Sequence, residues 1–448
     1  MRIAYVCADQ GVPVFGRKGC SIHVQEVVRA LREQGACVEL FARRTEGDPP
    51  PGLEAIPIHA LPAVPRVVAR SPDRATLPTE GLPPPAHYGR PSVDPVAGSG
   101  DPATTAVREQ AALAANGEVR ALLEQEGPFD LVYERYSLWT FAAMEYARDT
   151  GTPGLLEVNA PLIEEQVEHR TLVDRVSAER TAKRVFTAAS ALLAVSEEVA
   201  AYLEQYPGAR GRVQVVPNGV DPERFPTNLA PSYPGSSGTF TVGFVGTLKP
   251  WHGLTTLVEA FALLALERPL APTSGERGRG EGRNSNVRLL IVGDGPERSR
   301  LEADLDQRGL RGSAVFTGAV SPLEVPGLLA SMDVAVAPYP KLANFYFSPL
   351  KVYEYIAAGL PIVASRIGQL GEILRHQETG LLCAPGDAAA LAAALKRLRD
   401  DVALRQRLGK AARATAHRKH TWAAVARRVL GLAGHGCDTA AAVGWANR

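Results

Sequence analysis

Two short stretches carry side chains suited to holding an anion. In "GTLKPWHG", Lys249 and His252 lie in a loop that leaves a strand at Gly246 and closes at Gly253. In "FYFSPLKVYEYIAAGLPIVAS", residues 345–365, Ser348 is placed to cap a helix, Pro349 to take its first position and Gly359 to end it. Lys351 then falls in the first turn, at the positive end of the helix dipole, where a cation is unfavourable by roughly 0.3–1 kcal/mol unless something offsets it. A bound anion would offset it, because the ammonium and the unpaired N–H groups of the turn around Leu350 would face the same negative charge. Glu354 shares a face with Lys351. Both lysines follow apolar strands, so they belong at one edge of a parallel sheet, and together they suit a diphosphate whose ribose hydroxyls Glu354 would accept. Taken alone, Lys351 could equally be a lysine snorkelling to water, and its pairing with Glu354 a weak surface contact.

Other chemistries are poorly supported. Gly11 and Gly16 have the spacing of a phosphate loop, but Arg17 and Lys18 stand where lysine and then serine or threonine are required. What remains is a Gly-rich turn into "SIHVQEVVRAL", an amphipathic helix with Ser21 as its expected cap, and N–H groups near Lys18, Gly19 and Cys20 that either face a ligand or merely close the turn. "VGDGPERSRL" offers Gly293 and Gly295, but Arg298 occupies the third glycine position of a dinucleotide fingerprint. The D-x-D at Asp304 and Asp306 falls in a helix pattern, on a solvated face. No His/Cys group has zinc spacing and no G-x-S-x-G is present, so no metal ligand is assigned and hydrolase chemistry loses ground.

The elements that must position the lysines come from a chain of 448 residues, enough for two or three domains. Short apolar runs alternate with helix-period segments: "RIAYVCA", "CVELFA", "FDLVYE", "GLLEV", "ALLAVS" and "VQVVP", then "FTVGFVG", "VRLLIVG", "AVFTG", "VAVAPY", "PIVAS" and "GLLCA". This is the pattern of βαβ units, and about a dozen strands exceed one compact sheet. The expected α/β architecture is two doubly wound domains, 1–227 and 239–415, joined by the Pro/Gly/Ser-rich linker 228–238. Segments 62–105 and 270–286 are too poor in apolar residues to fold alone and are expected as disordered insertions, and 435–448 as a frayed tail. A net charge of +1 gives no global field for nucleic acid. Five cysteines without a C-x-x-C fit reduced thiols, a short apolar start does not fit a signal peptide, and no run suits a membrane span, so the expected place is the cytoplasm with at most peripheral membrane contact at its inner face.

In this order "IHVQEVVRAL", "AVSEEV", "VPNGVDPERF", "GTLKPWHG", "VGDGP", "FTGAVS", "EYIAAGLPIVAS", "GEIL" and "TGLLCAPGD" resemble the retaining family-four glycosyltransferases of GT-B fold. The resemblance covers almost the whole chain. It implies a nucleoside-diphosphate sugar, with uridine or guanosine as base, held by the C-terminal domain. The acceptor hydroxyl, on a glycan, a lipid-linked glycan or a small molecule, would lie on the N-terminal domain, and a helix within 416–434 would cross back to it. No bound cofactor or metal is expected, since cationic side chains and helix N-termini stabilise the departing diphosphate. The implied donor-binding residues are Gly246, Thr247, His252, Gly295, Ser348, Pro349, Leu350 and Glu354, with Lys249 and Lys351 acting on the leaving group. On the acceptor side are Gly19, His23, Arg135, Glu157 and Asn159, the last three at successive strand ends.

Some positions depart from the family. Tyr346 stands where the first glutamate of its E-x7-E element is expected, and Thr247 and His252 replace an arginine and a lysine of the phosphate loop. Lys249 and Lys351 restore a charge count of two. A nucleoside-diphosphate-sugar 2-epimerase of similar fold and a non-catalytic partner subunit are the rival readings, with an NAD oxidoreductase more distant.

Overall fold

The computed structural model describes residues 1–64, 101–266 and 287–434. Thirteen strands form two parallel sheets. The first contains β1 (Arg2–Cys7), β2 (Cys37–Ala42), β3 (Ile58–Ala60), β4 (Leu131–Arg135), β5 (Gly154–Val158), β6 (Ala191–Ala194) and β7 (Val213–Val215), in the order β3-β2-β1-β4-β5-β6-β7. The second contains β8 (Phe240–Val245), β9 (Val287–Val292), β10 (Ala314–Phe316), β11 (Val334–Ala337), β12 (Ile362–Ser365) and β13 (Leu381–Cys383), in the order β10-β9-β8-β11-β12-β13. Helices cover both faces, which is why the strands read as continuous apolar runs: every residue of β8 and of β4 is buried. Each sheet reverses its winding beside its first strand, between β1 and β4 and between β8 and β11. Ligands of such sheets bind outside the carboxyl ends of the strands at that reversal.

The twelve apolar runs all become strands. The thirteenth, β3, has only three residues, two of them exposed, and leaves no apolar run to read. Two expected caps are displaced. The first helix, Gly19–Glu33, starts before Ser21, because Lys18 is its N-cap and its carbonyl accepts from Ser21 N at 2.9 Å and Ile22 N at 3.0 Å. The helix Leu350–Ala358 has Pro349, not Ser348, as its N-cap. Ser348 is held by Asn218, whose side-chain amide donates to the Ser348 carbonyl at 2.9 Å. No side chain caps that helix, so its first N–H groups are left for something else.

The expected insertion 62–105 is too long at its far end: Asp101 caps a helix, Pro102–Ala114, by accepting from Thr104 N. Residues 65–100, 270–286 and 435–448 lie outside the described residues. Between the sheets, 228–238 forms turns and bends without helix or strand. The return crossing is divided. The helix Val402–Lys419 stays with the second sheet, where Arg413 donates to the Ala357 carbonyl at 2.8 Å. The chain then passes Val220, which donates to the His420 carbonyl at 2.8 Å and accepts from Trp422 N at 3.1 Å. Gly219 permits this approach, since a Cβ there would lie 2.7 Å from Trp422 N.

The last described helix, Trp422–Gly434, packs on Gly19–Glu33 of the first sheet. Its Trp422, Ala426, Val429 and Ala433 join a core that includes Val24, Val27 and Val28. Trp422 also stacks on His23, with ring centroids 5.4 Å apart. Trp422→Ala should therefore cost about 3–5 kcal/mol. In calorimetry this loss should fall on the transition of the first sheet; an unchanged thermogram would mean that the returning helix does not stabilise it.

Candidate active site

The loop after β8 is built by close backbone approach to the loop after β9. Gly246 N donates to the Val292 carbonyl and Leu248 N to the Asp294 carbonyl, both at 2.9 Å. Gly293, at φ +130°, and Gly295 make this possible, because a Cβ would lie 2.2 Å from Gly246 O on the first and 2.5 Å from Leu248 O on the second. At the other end Gly253, at φ +68°, lies against the Pro338 carbonyl after β11, where no Cβ fits. The result is a fixed loop at the winding reversal of the second sheet.

Inside it His252 is not a cation. Its Nδ1 lies 2.6 Å from the Thr247 carbonyl, which can only accept, so Nδ1 carries the hydrogen. Burial, then Lys351 and Lys249, push the imidazole pKa down to about 3. Thr247 thus serves as the orienting carbonyl, and the positive charge comes from the lysines. Lys249 Nζ stands 5.5 Å from the Trp251 ring.

Lys351 Nζ is out of solvent and has no hydrogen-bond partner among the described residues. It lies 4.1 Å from the Phe244 ring centroid and 5.7 Å from that of Tyr339, beside Gly246. Ring faces attract an ammonium but do not replace its hydrogen bonds. Burial lowers its pKa to about 7, against the pull of Glu354. Glu354 itself is 19% exposed, with Arg224 Nη1 at 3.8 Å. Burial raises its pKa and Arg224 opposes that.

From the first sheet, the Gly-rich loop is pinned by Gln25, whose side chain donates to the carbonyls of Val14 at 2.7 Å and Gly16 at 3.0 Å. This aims the start of Gly19–Glu33 at the other sheet. A Cβ on Gly19 would meet Leu350 at 3.9 Å, so the first turns of two helices, one from each sheet, face each other. The structure also brings His23, Arg135, Glu157 and Asn159 together. Glu157 accepts from Tyr133 at 2.5 Å, from Arg135 at 2.9 Å and from Asn159, and His23 Nε2 is 3.3 Å away. Burial pushes the Glu157 pKa up; His23, Arg135 and the hydrogen bonds from Tyr133 and Asn159 bring it below its usual value. Burial lowers the His23 pKa to about 4 despite Glu157. Glu157 is thus a paired buried charge, and among the described residues its cluster borders a water-sized pocket shared with Asn218 and Trp422.

The sequence reading missed a much larger cavity of about 950 Å³. It opens beyond β1, β2 and β4, at the reversal of the first sheet, and its walls include Asp9, Arg43, Arg44, Arg108, Trp139 and Leu162. The available signal was the pair Arg43-Arg44 immediately after the apolar run of β2. Tyr346 also has an unexpected place. Its hydroxyl donates to Glu165 at 3.3 Å and its carbonyl accepts from Ser196 at 3.1 Å, so it holds the first domain. Among the described residues no group of three His, Cys, Asp or Glu is arranged to hold a metal ion, and no helix is long and apolar enough to cross a membrane.

Two family models match the chain: "Glycosyl transferase 4-like domain" over residues 18–219 and "Glycosyl transferases group 1" over 239–401. The 2-deoxystreptamine glucosyltransferase of Streptomyces kanamyceticus is 30% identical over 63% of this chain and 71% of its own length. The D-inositol 3-phosphate glycosyltransferase of Stackebrandtia nassauensis is 28% identical over 93% of this chain and 86% of its own. Among solved structures, Anabaena HepE in complex with UDP and glucose superposes with a TM-score of 0.62 at 18% identity, covering 96% of this chain and 98% of its own, a likeness of fold.

The buried ammonium has a consequence for stability. Lys351 gains its proton at about pH 7 in the folded chain and at its ordinary 10.5 when unfolded, so between these values the unfolded state binds more protons. Stability contributed here rises with pH across that window and is flat below it. Lys351→Met should therefore gain most, in urea midpoint, at pH 7 and below, with the gain fading toward pH 10; a gain independent of pH would contradict a buried ammonium.

Proposed function

The chain belongs to the group 1 glycosyl transferases, and from that membership we propose that it moves a sugar from a uridine or guanosine diphosphate sugar to a hydroxyl acceptor, with retention of anomeric configuration. The observation that carries this reading is Lys351. An ammonium without a hydrogen-bond partner among the described residues, at the start of a nine-residue helix that none of their side chains caps, is completed by a diphosphate. Lys249 adds a second charge across the loop. Glu354, kept beside Arg224, is placed to accept from ribose hydroxyls, and Gly19 brings a second helix start to the same anion.

These groups act on the bond that breaks. As the sugar leaves its phosphate, charge grows on the diphosphate, where Lys351, Lys249 and the first-turn N–H groups are already oriented. That charge is met without a metal ion. Glu157 is committed to Arg135, Tyr133 and Asn159 and is not offered as a nucleophile. Retention is then assigned to front-face attack, with the departing phosphate oxygen taking the acceptor's proton. The described cysteines are free, which suits the reducing cytoplasm; any membrane contact would be peripheral, at its inner face.

A thermal-shift panel of nucleotides tests the donor. UDP or GDP should raise the melting temperature, NAD should not, and Lys351→Ala should weaken the nucleotide about 10–100-fold, the worth of a hydrogen bond to a charged group. No shift by any nucleotide diphosphate, or an unaltered one in Lys351→Ala, would remove this assignment. Nucleotide release that requires no acceptor would favour the epimerase instead.

A further inference from the structure

Resting on the transferase reading, we infer that the acceptor is a small polyhydroxylated molecule carrying a phosphate or carboxylate, held by Arg43 and Arg108 in the cavity of the first sheet. At about 950 Å³ the cavity is at the upper end of small-molecule sites. Four arginines line it, Arg43, Arg44, Arg108 and Arg170, against two carboxylates, Asp9 and Glu109. Glu109 is committed elsewhere, while Asp9 is bonded to its own loop and its charge opposes the effect of burial on Arg43 without hydrogen-bonding it. Glu109, buried, accepts from Val173 N at 3.0 Å and Asp174 N at 2.8 Å, and Asp9 accepts from Gly11 N at 2.7 Å.

The arginines differ in the same respect. Arg44 is bonded to Glu46 and to the Gln10 carbonyl, and Arg170 lies 3.7 Å from Glu165. Among the described residues Arg108 has only the amide oxygen of Gln10, at 3.3 Å. In Arg43 both Nε and Nη2 are out of solvent without a hydrogen-bond partner among the described residues. A desolvated guanidinium fork is costly unless an anion accepts from it, and its planar geometry suits two oxygens of one phosphate or carboxylate.

The fork is held in place by its backbone. Arg43 N donates to the Cys7 carbonyl at 3.2 Å, and the Arg44 carbonyl accepts from Val14 N at 2.9 Å. Opposite, Leu138, Trp139 and Leu162 give an apolar wall for the C–H face of a sugar or polyol ring. The helix Leu162–His169 links this wall to the donor side, because Glu165, three residues after Leu162, receives the Tyr346 hydroxyl. A charged group at Arg43 would thus leave the rest of the acceptor directed toward the other sheet.

The test uses the full chain saturated with UDP, so that the donor site is filled. Inorganic phosphate and glucose 6-phosphate are then titrated, with sodium chloride at equal ionic strength and neutral glucose as controls. Both phosphates should raise the melting temperature beyond the salt control. In Arg43→Gln/Arg108→Gln their affinity should fall at least 10-fold while the UDP shift persists, which shows that the variant folds. Phosphate shifts equal to the salt control, or equal in parent and variant, overturn the inference. Loss of the UDP shift in the parent itself would instead sink the donor assignment, so the two failures are distinguishable.

Discussion

Lys351 carries a charge that the protein places out of water, beside two aromatic rings and at the end of a helix whose dipole opposes it. Both features raise the energy of the chain alone. The surrounding elements make room for this ammonium: a Cβ on Gly246 would lie 2.8 Å from Nζ, and the loop that carries Gly246 is bonded to the one after β9. His252, oriented by its bond to the Thr247 carbonyl and kept neutral by burial and the nearby lysines, adds no charge beside it. The second domain is in this sense organised around an unmet electrostatic demand, and the first domain brings a second helix start up to it.

Much of the fold could be read from the chain because a parallel sheet covered on both faces demands unbroken apolar strands. Twelve of its thirteen strands have that signature, and β3, short and at an edge, does not. Helix starts were less legible. Ser21 and Ser348 are good caps by type, but the first lies inside its helix and the second is occupied by Asn218 from the other domain. Long-range partners of this kind leave no local mark. The same holds for Glu157, whose four partners come from three segments, and for Tyr346, whose meaning depends on Glu165 almost two hundred residues earlier. The nearness of Lys249 and Lys351 to His252 follows from strand-end position, and that of Lys351 to Glu354 from helix phase, both of which are local in the chain.

Polar contacts join the two domains. Asn218 reaches Ser348, Gln369 donates to the Val195 carbonyl at 2.8 Å, and Tyr346 spans to Glu165. Each contact joins a loop that follows a strand in one sheet to a loop or helix of the other.

The chain passes between the domains twice, and both passages run through one point, where Val220 is bonded on either side of Thr421 and Gly219 lies flush against Trp422. Two chain segments joined by an isolated bridge make a single pivot point between the domains. Translation of one domain past the other would break that bridge, whereas rotation about it leaves both bonds intact. A rotation about it would displace Trp422 little and would have to break the bonds from Asn218 to Ser348, from Gln369 to Val195 and from Tyr346 to Glu165.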